Sequence, residues 1–166
     1  MNKIHIELLK NNLSRFDSYF NLANVKASFI IPTNAIFIGI YSNYLDKVSI
    51  STLSKINIIL VIICIVLLII SLFSSLLVIL AFLKSGNNSK YKSLLFFGSI
   101  SEMSKDDFIS QVKSTDEAKL ETDYLEQIYL LSKSLKEKYS LLNISIATLC
   151  ISIILTFYSI LTISIK

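Results

Sequence analysis

The stretch Tyr91–Ile100, YKSLLFFGSI, is the most unusual local chemistry in this chain. Two adjacent phenylalanines, Phe96 and Phe97, are flat apolar surfaces on which a planar base can stack, and the Ser99 and Ser101 hydroxyls stand close by in sequence. Ten residues are too few to cross a bilayer, so the stretch reads as a strand or as an extended segment packed under helices. Gly98 suggests a tight turn or a close approach to another group. The competing reading is a plain hydrophobic anchor.

Catalytic patterns are missing elsewhere. There is no GxGxxG, P-loop, CxxC pair, HExxH or GxSxG in the 166 residues. His5 has no Ser or Cys near it in sequence, and Cys64 and Cys150 lie inside apolar runs as small core residues. Asp106 and Asp107 fall in the first turn of an expected helix, where carboxylates complement the helix dipole. Asp116, Glu117, Glu121 and Asp123 read as a solvated face. The expectation is a protein without catalytic activity, cofactor or metal. A net charge of +4 with a single arginine, Arg15, and no dense basic run argues against nucleic acid as a partner.

The elements that must position the aromatic stretch are set by hydropathy. Residues 56–83 run for 28 positions without a charge, and Leu, Ile, Val and Phe fill 22 of them. At roughly −0.5 kcal/mol each, those side chains favour insertion by on the order of 10 kcal/mol. Residues 27–45 form a second uncharged run, about the shortest that can span, with Pro32 one turn inside and Asn34 just after. Pro32 and Asn34 read as a kink in that helix, or as a hinge or polar lining. Residues 141–165 form a third run. There Ser145, Thr148, Ser152, Ser159 and Thr162 recur at helical spacing, a stripe suited to close helix packing or to a narrow wet path. No leader peptide is expected, because the first strongly apolar stretch lacks a convincing cleavage site.

The resulting fold class is an all-α membrane protein. It has three transmembrane helices, a small, mainly helical cytoplasmic module and a long continuous C-terminal helix. The expected divisions are an amphipathic cytoplasmic helix over 1–25, two spans with a short external hairpin over 26–83, a module over 84–140 and a third span over 141–166. The first carries the stripe Leu9, Leu13, Phe16, Phe20 and Ala23. In the module, Ser104 with Asp107 and Ser114 with Glu117 read as two capping boxes. The second would open a helix continuing through the third span. Lysines crowd the amino segment and residues 84–138, so the positive-inside rule places both in the cytoplasm and the C-terminus outside.

Several segments together resemble the Pycsar effector transmembrane family: SLLFFGSI from Ser93, MSKDDF from Met103, YLEQIYLL from Tyr124, KYSL from Lys138, and NVKA from Asn24 leading into a span with Asn34 and Gly39. That resemblance implies an antiphage effector of the bacterial inner membrane. It would sense a cyclic pyrimidine mononucleotide, cyclic UMP or cyclic CMP, made by a partner cyclase, and then impair the membrane as a homo-oligomer. For such a ligand the expected contacts are Lys90, Lys92 and Lys105 to the phosphate, and Ser93, Ser99 and Ser101 as hydroxyl donors. Phe96 and Phe97 would stack the base, and Gln127 would read its edge. The alternatives are a membrane anchor docking a cytosolic partner and a holin-like pore former that needs no ligand.

Overall fold

In a computed structural model the described residues are 3–47, 55–80 and 93–164. They are helical apart from short connections: α1 Lys3–Lys47, α2 Lys55–Leu80, α3 Phe97–Ser101, α4 Lys105–Ser114 and α5 Glu117–Ser164. Three of them, α1, α2 and α5, are long and apolar enough to cross a membrane. The chain forms two compact units. One joins Met1–Asn21 to Phe82–Glu137; the other joins Leu22–Ala81 to Lys138–Lys166.

The amino segment is not a separate helix over 1–25. α1 continues through that boundary for 45 residues. Its covered side explains why. Leu9, Leu13, Phe16, Phe20, Ala23, Ala27, Ile30, Asn34, Phe37 and Tyr41 repeat by alternating steps of four and three, and all are buried or partly buried. Nothing interrupts that period at residue 25. Pro32 leaves the helix hydrogen bond to the Ser28 carbonyl unmade, and its exposed ring faces outward. Ser28 Oγ donates to the Asn24 carbonyl at 2.9 Å and Thr33 Oγ1 to the Phe29 carbonyl at 2.8 Å.

In the unit built from Leu22–Ala81 and Lys138–Lys166 the interior is a ladder of polar layers. Asn34 Nδ2 donates to the Ile30 carbonyl and to Ser71 Oγ, both at 3.0 Å. Ser71 Oγ donates to the Ser145 carbonyl at 2.9 Å, and Ser145 Oγ returns a bond to the Ser71 carbonyl at 2.8 Å. This reciprocal pair requires backbones close together, which only small side chains permit. Seven residues along, Ser152 Oγ donates to the Cys64 carbonyl at 3.4 Å, and buried Tyr41 occupies the matching step on α1. Another seven bring buried Asn57 and Ser159 to the same level. Between the first two layers lie Leu68, fully buried, and Leu149, with Phe37 packed against them.

The covered stripe of α5 keeps Ser145, Ser152 and Ser159 of the expected set but leaves Thr148 and Thr162 only partly buried. Leu142, Ser145, Leu149, Ser152, Thr156 and Ser159 form it. Thr148 is only partly buried and bonds its own helix, through the Ile144 carbonyl at 2.8 Å. From Ser145 the covered positions alternate steps of four and three, through Leu149, Ser152, Thr156 and Ser159, so the seam follows a seven-residue period that passes Thr148 by. At the near end of the same stripe Lys138 is buried.

Candidate functional site

The unit joining Met1–Asn21 to Phe82–Glu137 holds the aromatic segment. No strand forms there among the described residues. Ser93–Phe96 is a turn, and α3 begins at Phe97. The turn is tied from two sides. Ser93, buried, accepts at Oγ from the Leu95 N–H at 3.1 Å and the Phe96 N–H at 3.2 Å. Asp123 Oδ2 on α5 accepts from the Leu94 N–H at 2.8 Å. Extended backbone would leave these donors without their local acceptors, and the side-chain cap competes successfully with a strand. Gly98 has an ordinary backbone; a Cβ there would collide with the Phe96 ring. The expected close approach is therefore to that ring.

Capping sets the next elements. Ser104 opens α4: its Oγ accepts from the Asp107 N–H at 3.1 Å and donates to Asp107 Oδ2 at 2.7 Å. α5 does not start from Ser114. Asp116 caps it, with Oδ1 accepting from the Lys119 N–H at 2.8 Å. Ser114 closes α4 instead and donates to the Gln111 carbonyl at 3.1 Å. Asp is as good a cap as Ser, and starting α5 after Asp116 lets α4 finish its last turn at Ser114.

These elements enclose a cleft of about 490 Å³. Such a volume suits one small-molecule ligand. α1 contributes Lys10, Leu13, Ser14 and Asp17; the turn and α3 contribute Leu95, Phe96 and Phe97; α5 contributes Tyr124, Gln127 and Leu131. The Phe96 and Phe97 rings sit 4.9 Å apart, tilted by 47°. Gln127 is buried, whereas Lys10 and Asp17 are exposed at the rim. The arrangement combines flat apolar walls, one cation, one carboxylate and an amide with both donor and acceptor. It can hold an aromatic anion bearing hydrogen-bonding edges.

Of the residues anticipated from sequence, Phe96, Phe97 and Gln127 line the cleft. Ser93 caps the turn, and Ser101 Oγ donates to the Gly98 carbonyl at 2.8 Å. Ser99 lies partly buried on α3, and Lys105 is exposed at the start of α4; neither lines the cleft. Lys90 and Lys92 lie outside the described residues. Lys10, Ser14, Asp17 and Tyr124 were not anticipated. Tyr124 belonged to a visible stripe, but no local pattern links Lys10 to residues more than eighty positions away.

Asp123 is a correction: it is 2% exposed, not part of a solvated face. The signal was its position, four residues before Gln127 and three after Leu120 on the covered side of α5. A hydrogen bond to a charged acceptor contributes ~1.5–3 kcal/mol, so Asp123→Ala should lower the melting temperature measurably in detergent and free the turn that carries Phe96. Differential scanning fluorimetry checks this; an unchanged melting temperature would mean that the bond does not hold the turn.

No curated protein and no solved structure matches the chain. The model of one sequence family, the Pycsar effector protein domain, matches residues 8–165. That match takes in the cleft-lining positions, the three candidate spans and the polar ladder alike, and by it the chain belongs to the Pycsar effector family.

Proposed function

We propose that this effector binds a cyclic pyrimidine mononucleotide, cyclic UMP or cyclic CMP, in the Phe96–Gln127 cleft and responds by permeabilising the bacterial inner membrane. The observation that carries the ligand assignment is the composition of the cleft: paired aromatic rings, Lys10 and a buried Gln127 around about 490 Å³. A cyclic mononucleotide supplies the complement, with a base to stack, a single negative charge and a ribose hydroxyl. Lys10 would face the phosphate, Phe96 the base, and Gln127 and Asp17 the donors and acceptors of the base edge and ribose. Family membership supports an antiphage effector role.

The reading includes no catalytic step and no cofactor or metal; the ligand acts by favouring one packing over another. α1 and α5 each contribute residues to both compact units and are the covalent routes by which binding would reach the spans. The lysine distribution favours a cytoplasmic cleft, and several copies would act together as a homo-oligomer in the bilayer. Nucleic acid is not a partner in this scheme.

The test uses purified full-length protein. Isothermal calorimetry with each nucleotide should give saturable binding to one of them. Proteoliposomes should then release trapped contents only in its presence. No heat with either nucleotide, or release that ignores the nucleotide over a range of protein densities, refutes the proposal.

A further inference from the structure

Most polar groups in the three-helix interior are bonded, but among the described residues four buried oxygens are not: Asn24 Oδ1, Asn34 Oδ1, the Tyr41 hydroxyl and Ser159 Oγ. Asn34 is wholly buried and its Oδ1 has no hydrogen-bond partner; Ser159 is 1% exposed and its Oγ has none. An acceptor buried in this way within a bilayer is costly to leave unmade, and water or a desolvated cation would satisfy it. Asn34 Oδ1 and Ser159 Oγ stand fourteen residues apart along the Ser145–Ser159 register of one ladder, with the Tyr41 hydroxyl at the level between them.

The levels between them are polar with one exception. Ser71 and Ser145 form one, Tyr41, Cys64 and Ser152 another, and Thr156 faces the level of Val61. Above them Ser75 is fully buried beside the level of Leu142. Only the layer of Phe37, Leu68 and Leu149 is wholly apolar among the described residues. Polar rungs interrupted by a single dry layer have the chemistry of a narrow path closed by dewetting. The rungs offer hydroxyl, amide and carbonyl oxygens and no fixed charge, a set suited to small monovalent cations.

We infer that the permeable route lies inside this three-helix unit, as a path for small monovalent cations closed by the Leu68–Leu149 layer. The inference rests on the reading that the protein permeabilises membranes, but not on which ligand triggers it. Wetting the dry layer should open the route without any nucleotide.

Full-length protein carrying Leu68→Ser or Leu149→Ser, with the milder Leu68→Thr and Leu149→Thr beside them, would be reconstituted into liposomes loaded with potassium and with calcein. Ile62→Ser and Ile69→Ser make the same change on the lipid-facing side, where those residues are 55% and 44% exposed. Helix content by circular dichroism selects the folded variants. The expected result is potassium efflux at least tenfold above wild type from the seam variants, with calcein retained and the lipid-facing variants tight. Seam variants as tight as wild type, equal efflux from the lipid-facing variants, or calcein released along with potassium each overturn the inference. Wild type treated with cyclic UMP or cyclic CMP separates the two claims. Nucleotide-evoked calcein release keeps the ligand reading and removes the internal path. Potassium efflux from the seam variants with no nucleotide response in wild type keeps the path and removes the ligand reading.

Discussion

Phe96→Ala should weaken nucleotide binding by roughly 10- to 100-fold, since stacking a base on an aromatic side chain contributes ~1–3 kcal/mol. The loss should exceed that of Phe97→Ala, because Phe97 is 69% exposed and shares less of its surface with the cleft. Phe96→Tyr keeps the ring and should bind within a few-fold of wild type. Calorimetry decides among them. If Phe96→Ala binds as wild type does, the base does not lie on that ring. The variant is informative because the turn's backbone is held by Ser93 Oγ and Asp123 Oδ2, not by the Phe96 side chain.

The second large effect is in the spans. Ser145→Leu places a branched side chain where Ser71 and Ser145 exchange bonds to each other's backbone at 2.8 and 2.9 Å. Overpacking a tight interior costs about 1–3 kcal/mol, and interhelical bonds in membranes add about 0.6 kcal/mol each. Ser145→Ala loses only the hydroxyl bonds and should fall below about 1.5 kcal/mol. Unfolding in mixed detergent, followed by circular dichroism, should therefore rank wild type above Ser145→Ala, with Ser145→Leu far below. Equal stability of the two variants would show that the helices are not held by this close approach.

Much of the frame was legible in the chain. The uncharged runs announced the spans, and the Leu9–Ala23 stripe marked the covered side of α1. Its joining to the first span was obscured by Lys26, the charge that bounds the uncharged run 27–45 and so suggests a division there. Ser104 was readable as a cap because cap, acid and spacing all agreed. Asp116 was not, because Ser114 and Asp116 are both competent caps and tertiary context chose between them. In the cleft, Phe96 and Gln127 could be nominated by chemistry. Lys10 and Asp17 could not, since folding brings them there from α1. Asp123 was misplaced because a carboxylate suggests solvent, whereas here a backbone N–H serves as its partner.

The seven-residue recurrence of the polar layers leaves an ambiguity in alignment. Slide α5 along α2 by two turns, about 10 Å, and serine would again meet serine or cysteine. A pair of helices carrying only those rungs would have two nearly equivalent ways to dock. Asn34 removes the tie. Its amide is the single wide polar side chain that α1 presents at the Ser71 level, and it reaches both Ile30 and Ser71 from there. One asparagine thereby acts as an address, telling three otherwise repetitive helices which rung is which.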